Sequence, residues 1–209
     1  MNNNTNQRIY FDKQKNRYKI ELLKHPPKRQ LLEYREMETV LNLPIGSKLM
    51  DFGSGNGRVA LYFLSQGYHV HAVDVSKTSL LELTKIYKQI KTFSWGILTT
   101  STTLPTIPVF DGIIGADILH HVDMHSILPQ LKKTVKKNGV LVFSEPNGWN
   151  PLWYVYIFLK RLPWNIEKNI LHMNPFFLRS AFHNAGYDRI RISPYKFRLM
   201  ISACSCSHE

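Results

Sequence analysis

The stretch LMDFGSGNGR at residues 49–58 organises the rest of the chain. A short apolar strand runs into three closely spaced glycines, and an apolar helical run at residues 59–64 follows them. Glycine tolerates a positive φ and carries no side chain, so backbone N–H groups and a helix N-terminus can approach a ligand closely at such a turn. The stretch therefore predicts a strand–turn–helix unit that binds a nucleotide-like ligand.

A second predicted strand, residues 69–73, ends in an acid, Asp74. In nucleotide-binding βαβ units a carboxylate at this point accepts hydrogen bonds from ribose hydroxyls. The glycines follow G-x-G-x-G, one residue short of the dinucleotide oxidoreductase pattern, and no Gly-Lys-Ser/Thr follows them as a P-loop requires. A turn that binds nothing would leave both Asp74 and the acid before the glycines, Asp51, as coincidences.

This pattern resembles the first motif of the class I, Rossmann-like methyltransferases that depend on S-adenosyl-L-methionine (SAM). That motif is an acid, a short spacer and G-x-G-x-G, and Asp51 is the acid here. The resemblance covers roughly residues 47–193. Four further segments match in the same order as in the family. Residues 73–76 match the end of the second strand, and residues 110–122 match the fourth strand with its loop. Residues 131–143 match the helix and fifth strand, and residues 174–187 match the late helix.

The resemblance implies an α/β fold of the Rossmann-like, doubly wound type. Its sheet is expected to have seven strands, mostly parallel, with an antiparallel last strand. An N-terminal helical cap is expected to precede this sheet. The alternation of predicted strands and helices favours a parallel sheet independently. The implied cofactor is SAM. The residues expected to bind it are Asp51, Phe52, Gly53, Ser54, Gly55, Gly57, Asp74, Val75, Thr100, Ser101 and Asp117.

Thr100 departs from the family's pattern. Many relatives carry an acid shortly before a Leu-Pro after the third strand, where it contacts the adenine amino group, whereas the segment here is TTSTTLP at residues 99–105. A hydroxyl accepts the same hydrogen bond more weakly. A non-catalytic partner subunit that keeps the fold is therefore an open alternative, and for it SAM would not raise the melting temperature.

The chain is expected to form one methyltransferase domain at residues 8–203, because 209 residues suffice for one α/β core and not for two. Residues 1–7 are expected to be a disordered tail and residues 204–209 a second tail. The domain is expected to have three parts. The helical cap covers residues 8–46, the cofactor-binding core covers residues 47–145, and the acceptor lid with the late helix covers residues 146–186.

The composition is strongly basic, with Lys+Arg 27 against Asp+Glu 15 and a formal net charge of +12. This balance allows attraction to nucleic acid, an anionic membrane or an acidic substrate, and selects none of them. The two cysteines lie at the C-terminus, so no disulfide framework is expected and a reducing, cytoplasmic location is the simplest inference. The longest apolar run, residues 152–159, is about half or less of a membrane-spanning helix.

Aromatic and apolar side chains are concentrated between residues 149 and 164, where the resemblance places the acceptor lid. They favour a small apolar or aromatic acceptor, methylated on oxygen or nitrogen, and allow peripheral contact with a membrane. Ordinary core packing, with residues 152–159 as a buried lid helix, explains them about equally well. The substrate-contact candidates are Tyr18, Glu145, Asn147 and Tyr154, and capping of the next helix is the alternative role for Glu145.

His121 is the candidate catalytic residue. It follows the fourth predicted strand on the acceptor side, and an imidazole can take a proton from a hydroxyl or amine near neutral pH. Packing that orients the loop is the alternative. Methyl transfer is an in-line displacement that depends mostly on positioning, so no nucleophile and no metal are expected. The spacing of His120, His121, Asp123 and His125 does not favour a metal cluster, because three of them lie in a loop that turns into a helix.

Nucleic acid is not favoured as the acceptor, despite the net charge. Many base-amino methyltransferases carry Asn/Asp-Pro-Pro-aromatic after the fourth strand, and Ala116-Asp117 stands there in this chain. A nucleic-acid methyltransferase remains the alternative from another class. Tight RNA or DNA binding that weakens steeply with salt would support it.

Overall fold

The computed structural model describes residues 9–10, 25–88, 90–97, 104 and 109–206. Its strands are β1 (Lys48–Phe52), β2 (His69–Asp74), β3 (Phe93–Ile97), β4 (Phe110–Ala116), β5 (Val135–Pro146), β6 (Asp188–Tyr195) and β7 (Arg198–Cys204). Its α-helices are α1 (Lys28–Leu41), α2 (Arg58–Ser65), α3 (Lys77–Tyr87), α4 (Met124–Thr134), α5 (Pro151–Leu159), α6 (Trp164–Glu167) and α7 (Pro175–Asn184). Two short 3-10 helices cover Leu119–His121 and Lys168–His172.

The strands form one seven-stranded sheet in the order β3-β2-β1-β4-β5-β7-β6. Strands β1 to β5 pair in parallel, and β7 runs antiparallel to both β5 and β6. The predicted mostly parallel sheet with an antiparallel last strand is confirmed. Since parallel strands end at the same edge, the loops that follow β1, β2, β4 and β5 meet there.

Helices cover both faces of the sheet. On β1, Leu49 packs into the core cluster that contains Tyr34 of α1 and Phe63 of α2, while Met50 packs into the cluster that contains Leu128 of α4 and Phe182 of α7. The strand is therefore apolar on both faces, as expected for a central parallel strand.

The helices at the ligand edge begin at polar N-caps. Side chains of Ser76, Asp123, Asn150 and Asn174 accept hydrogen bonds from backbone N–H groups in the first turns of α3, α4, α5 and α7. Proline occupies the start of α5 and α7, where its missing N–H costs nothing. These caps fix where each helix leaves the loop edge of the sheet.

Strand β5 begins earlier than its sequence suggests. The resemblance assigns residues 131–143 to a helix followed by the fifth strand; in the structure the helix ends at Thr134, and Val135 already pairs with Phe110 of β4. The register shifts before Gly112, and Asn138 adopts a positive φ of 64°, which absorbs the extra residues.

The expected C-terminal tail from residue 204 is corrected, because Cys204 is the last residue of β7 and pairs with Val140. Ser205 is held by backbone hydrogen bonds to Gly139 and Asn138. Cys204 and Cys206 form a disulfide. The bridge closes a very short loop and links no distant elements, but it gives no support to a reducing compartment, so the cytoplasmic location stays a prediction. None of the helices among the described residues has the length and apolar character needed to cross a membrane.

Candidate active site

The glycine turn between β1 and α2 is an open backbone cradle. Gly53, Gly55 and Gly57 have φ of +73°, +50° and +78°. A Cβ on Gly53 would lie 2.3 Å from the Ile118 side chain, and one on Gly57 would lie 2.1 Å from Leu83, whereas a Cβ on Gly55 would meet nothing within 4 Å. Gly53 and Gly57 are thus small because the protein needs the space, and Gly55 faces space that a ligand can use.

Asp74 holds this turn from the end of β2. Its Oδ2 accepts a hydrogen bond from the Gly55 N–H at 2.7 Å, and its Oδ1 accepts one from the Ser76 N–H at 2.8 Å. A carboxylate oxygen accepts more than one hydrogen bond, so the same group can fix the turn and bind ribose hydroxyls. Val75 follows it, partly exposed, while the Phe52 side chain is fully buried behind the turn.

Asp51 lies buried beneath the turn, 1% exposed. Its Oδ2 accepts from the Ala60 N–H, and its Oδ1 has no hydrogen-bond partner among the described residues. Burial raises the pKa of Asp51 to about 7, although the Ala60 N–H and the Arg58 charge lower it. The buried Ser54 hydroxyl oxygen likewise lacks a partner within the described part of the chain. An open cradle above a partnerless carboxylate oxygen fits a nucleoside that carries positive charge, as SAM does.

A cavity of about 510 Å³ opens beside the cradle. It lies at the loop edge of the sheet, and its wall has a polar side and an apolar side. The polar side includes Arg58, Asp117, His120, His121, Glu167 and Arg198. The apolar side includes Leu152, Trp153, Tyr156, Ile157, Leu162 and Phe197.

Asp117 joins the cradle to the cavity. This residue has a positive φ of 58°, and its carboxylate forms ion pairs with Arg58, the first residue of α2, and with Arg198, the first residue of β7, at 2.6 Å. Burial alone would raise the pKa of Asp117, but Arg198 and Arg58 outweigh it and hold the pKa well below its usual value. Arg198 also contacts Glu33 of α1 at 3.0 Å and Ser144 of β5 at 2.8 Å.

Glu145 shapes the loop after β4. It is 0% exposed, and its Oε1 accepts from the N–H groups of Ile118 and Leu119 at 2.8 Å each. Its Oε2 bonds to the Nδ1 of His120 at 2.7 Å. The expectation that Glu145 contacts the acceptor is therefore corrected: both oxygens serve the loop, in a capping role for the 3-10 helix that follows β4 rather than for the helix after β5.

His120 is a buried, charged link in this loop. Burial would lower its pKa, but the hydrogen bond to the Glu145 carboxylate and the negative charges of Glu145, Glu167 and Asp117 raise it to about 10. The His121 ring lies next to it, with the ring centroids 3.9 Å apart, and also borders the cavity. The structure thus places the candidate catalytic residue on the polar side of the cavity wall.

The other substrate candidates do not line the cavity. Asn147 accepts a hydrogen bond from the Trp149 N–H, and the Tyr154 hydroxyl donates to the Gly148 carbonyl at 2.6 Å. Both side chains therefore shape the turn before α5. Their neighbours Asn150, Trp153 and Tyr156 face the cavity instead. Tyr18, Thr100 and Ser101 lie outside the described residues.

Several residues of the cavity wall were not predicted from the sequence. They are Glu33, Arg58, Glu167 and Arg198. Arg58 is adjacent to the glycines, and that position could have pointed to it. Glu33, Glu167 and Arg198 stand in no local motif, since α1, α6 and β7 reach the site only through the tertiary fold.

The sequence matches a family model described as a methyltransferase domain over residues 17–192. This range is most of the chain, and the cradle, the acid that ends β2 and the sheet order agree with it. The chain belongs to this family and contains a class I, SAM-dependent methyltransferase domain. The predicted family and the predicted cofactor, SAM, are thereby confirmed.

Among curated proteins, the chain is similar to the ubiquinone biosynthesis O-methyltransferase of Rickettsia typhi, with 29% identity over 102 residues. This match covers 48% of the chain and 41% of that protein, so the chain spans less than half the length of that curated relative. The protein of the same name from Rickettsia prowazekii is 28% identical over a similar stretch.

Among solved structures, a SAM-dependent methyltransferase from Aquifex aeolicus has a TM-score of 0.66 and 16% identity, covering 90% of this chain and 99% of that one. Phosphoethanolamine N-methyltransferase 2 of Haemonchus contortus, solved with SAM, has a TM-score of 0.61 and 15% identity, covering 78% of this chain and 38% of that one. Likeness at these identities shows the fold.

Proposed function

We propose that the protein methylates an oxygen atom of a small acceptor with an aromatic or apolar body, bound in the cavity beside the cradle. The two-sided wall of this cavity carries the proposal. Its apolar side, with Trp153, Tyr156 and Phe197, suits a flat or aliphatic body, and its polar side adjoins the cradle through Arg58, the residue after Gly57. The partial match to ubiquinone biosynthesis O-methyltransferases supports oxygen as the accepting atom.

SAM supplies a methyl group on a sulfonium, which is open to in-line displacement. The protein's part is to hold the acceptor oxygen in line and to keep water away. The ion pairs of Asp117 with Arg58 and Arg198 keep the polar wall in one arrangement. We place His121 beside the acceptor hydroxyl, because it lies in the loop after β4 and borders the cavity.

The helix at the cavity mouth, α5, is mostly exposed. Ile157 is its buried residue, while Leu152, Val155, Phe158 and Leu159 are 55%, 51%, 81% and 70% exposed. The expected buried lid helix is therefore corrected. An exposed apolar surface of this kind is typical of a face that contacts another protein or a membrane.

The charge around α5 is complementary to an anionic membrane. Residues 148–187 contain one acidic residue, Glu167, which is buried. The basic residues of this segment are exposed; they are Lys160, Arg161, Lys168 and Arg179. An apolar face flanked by cations binds at the membrane interface. We propose that α5 contacts a membrane surface and that an apolar acceptor enters the cavity from that side, past Leu152 and Tyr156.

An acceptor panel tests the proposed reaction. Phenols and catechols with short and long alkyl chains are incubated with protein and SAM, and S-adenosylhomocysteine release and product mass are measured. We expect O-methylated products, with lower KM for the longer chains because they bury more apolar surface. Asp74→Ala, which loses the carboxylate at the cradle, serves as the inactive control. Turnover confined to amines or to nucleic acid would contradict the proposal.

A further inference from the structure

Three buried side chains meet on the polar wall of the cavity. His120 and His121 come from the 3-10 helix after β4, and Glu167 ends α6. Each offers one ligand atom, and these atoms all lie within 4.8 Å of one another. The residues are 3%, 7% and 9% exposed. We call them the His–His–Glu cluster.

The distance between two of these atoms fits a shared cation better than a hydrogen bond. The Nε2 of His120 lies 3.5 Å from the Oε2 of Glu167. This is beyond the usual range of a strong N–H···O hydrogen bond. Two ligands placed about 2.1 Å from one tetrahedral cation are separated by about 3.4 Å.

Glu145 orients His120 as an outer carboxylate orients a metal-binding histidine. Its Oε2 bonds to the Nδ1 of His120 at 2.7 Å, and its Oε1 is fixed by two backbone N–H groups. A bound cation would displace the proton from Nε2, and the proton that stays on Nδ1 leaves the Nε2 lone pair directed at the space shared with Glu167. Such a carboxylate–histidine pair fixes both tautomer and ring orientation at protein metal sites.

We propose that the His–His–Glu cluster binds a divalent first-row transition cation of the Zn²⁺ type, with one position open to the cavity. Two imidazoles and one carboxylate are a ligand set that such cations prefer over Mg²⁺. The charges of Glu167 and the supporting Glu145 balance the cation. The open position faces the space in which the acceptor is proposed to bind.

The catalytic use of this cation rests on the proposed O-methylation, whereas the cation site itself does not. A divalent cation lowers the pKa of an oxygen bound to it. An acceptor hydroxyl in the open position would release its proton to water and keep the electron pair for the methyl group, with no change in the metal's oxidation state. His121 then acts as a ligand rather than as a general base.

Metal titration of the full chain, without SAM or acceptor, tests the site. Protein dialysed against a chelator is titrated with Zn²⁺ by calorimetry and with Co²⁺ by visible absorption, with Cys204 and Cys206 kept oxidised so that their thiols do not bind. We expect one cation per chain and a Co²⁺ spectrum of low coordination number. Because no methyl transfer is measured, failure of the proposed reaction would not affect this result.

Matched variants locate the ligands. Glu167→Gln and His121→Asn should each weaken binding at least tenfold, while His125→Asn, which changes an exposed histidine at the start of α4, should leave it unchanged. Circular dichroism confirms that the variants fold. Absence of Zn²⁺ and Co²⁺ binding by the wild-type protein, or binding that survives in both cluster variants, would overturn the proposal.

Discussion

The two sides of this active site are built differently. The cofactor side consists of the cradle and Asp74, which are close in sequence and joined largely through backbone N–H groups. The side proposed to bind the acceptor consists of side chains from α1, the loop after β4, β5, α6 and β7, joined by ion pairs such as Glu33 with Arg198 and His120 with Glu145. A local backbone cradle tolerates change in the rest of the chain, whereas a buried charge network depends on every member.

This difference sets how each side should respond to substitution. Removing one member of a buried charge network leaves its partners charged and unpaired, so stability suffers first. Filling the cradle leaves the protein's own contacts intact, so ligand binding suffers first. The following variants separate these responses.

The largest effect is expected for Arg198→Met. This change leaves the carboxylates of Asp117 and Glu33 without their shared arginine. Unfolding free energy measured by urea denaturation should fall by about 3 to 5 kcal/mol. Arg191→Met, on the exposed face of β6, is the control and should stay within about 0.5 kcal/mol of wild type. A loss below about 1 kcal/mol for Arg198→Met would show that the network is not a stability element.

Gly55→Val should abolish SAM binding while the protein stays folded. A Cβ at this position meets no protein atom within 4 Å, and we expect the valine side chain to enter the space assigned to the cofactor. We expect calorimetry to show an affinity loss of roughly a hundredfold or more, about 3 kcal/mol. Gly46→Val is the matched control, because Gly46 also has a positive φ, +87°, and open space around it. Equal SAM affinity in both variants would refute the cradle assignment.

Asp51 should make stability depend on pH. Because burial raises its pKa to about 7, the folded protein keeps a proton that the unfolded chain releases near pH 4. The contribution of neutral Asp51 to the free energy of unfolding is fully present below pH 4 and is lost as the pH rises through 7. Asp51→Asn cannot ionise, so between pH 5 and pH 8 its stability relative to wild type should rise by about 2 kcal/mol. A constant difference across this range would contradict the assignment.

The smallest effect is expected for Phe158→Ser. This side chain is 81% exposed on α5, so the melting temperature should not change. Sedimentation with anionic vesicles should fall several-fold, because about 1 kcal/mol of apolar insertion is lost. Ile45→Ser, at the opposite edge of the sheet and 73% exposed, should bind vesicles like wild type. Equal loss in both variants would mean that α5 is not the contact face.

The cofactor side could be predicted from the sequence because its signals are contiguous. Strand, glycines and helix follow one another at residues 49–66, and Asp74 ends the next strand, so the local pattern predicted a nucleotide-binding unit and the family resemblance then implied SAM. The seven-stranded, mostly parallel sheet with an antiparallel last strand was predicted from the family resemblance and was then confirmed, whereas the order of the strands comes from the structure.

The acceptor side could not be predicted in the same way. The pairing of Glu33 with Arg198 joins residues far apart in sequence, and no periodicity marks either of them. The predicted residues Asn147 and Tyr154 lie next to residues that face the cavity. The cap at Asn150 sets the rotation of α5, and this rotation determines which of its side chains face the cavity. Glu145 stands at the expected edge, but its burial depends on the loop that packs over it.

The central claim is methyl transfer to a small apolar acceptor, and one measurement tests it most directly. A fractionated cell lysate is incubated with the protein and SAM carrying a labelled methyl group, with Gly55→Val as the inactive control. We predict label in the organic-extractable fraction that the control does not produce. Label found only in protein or nucleic acid would contradict the account.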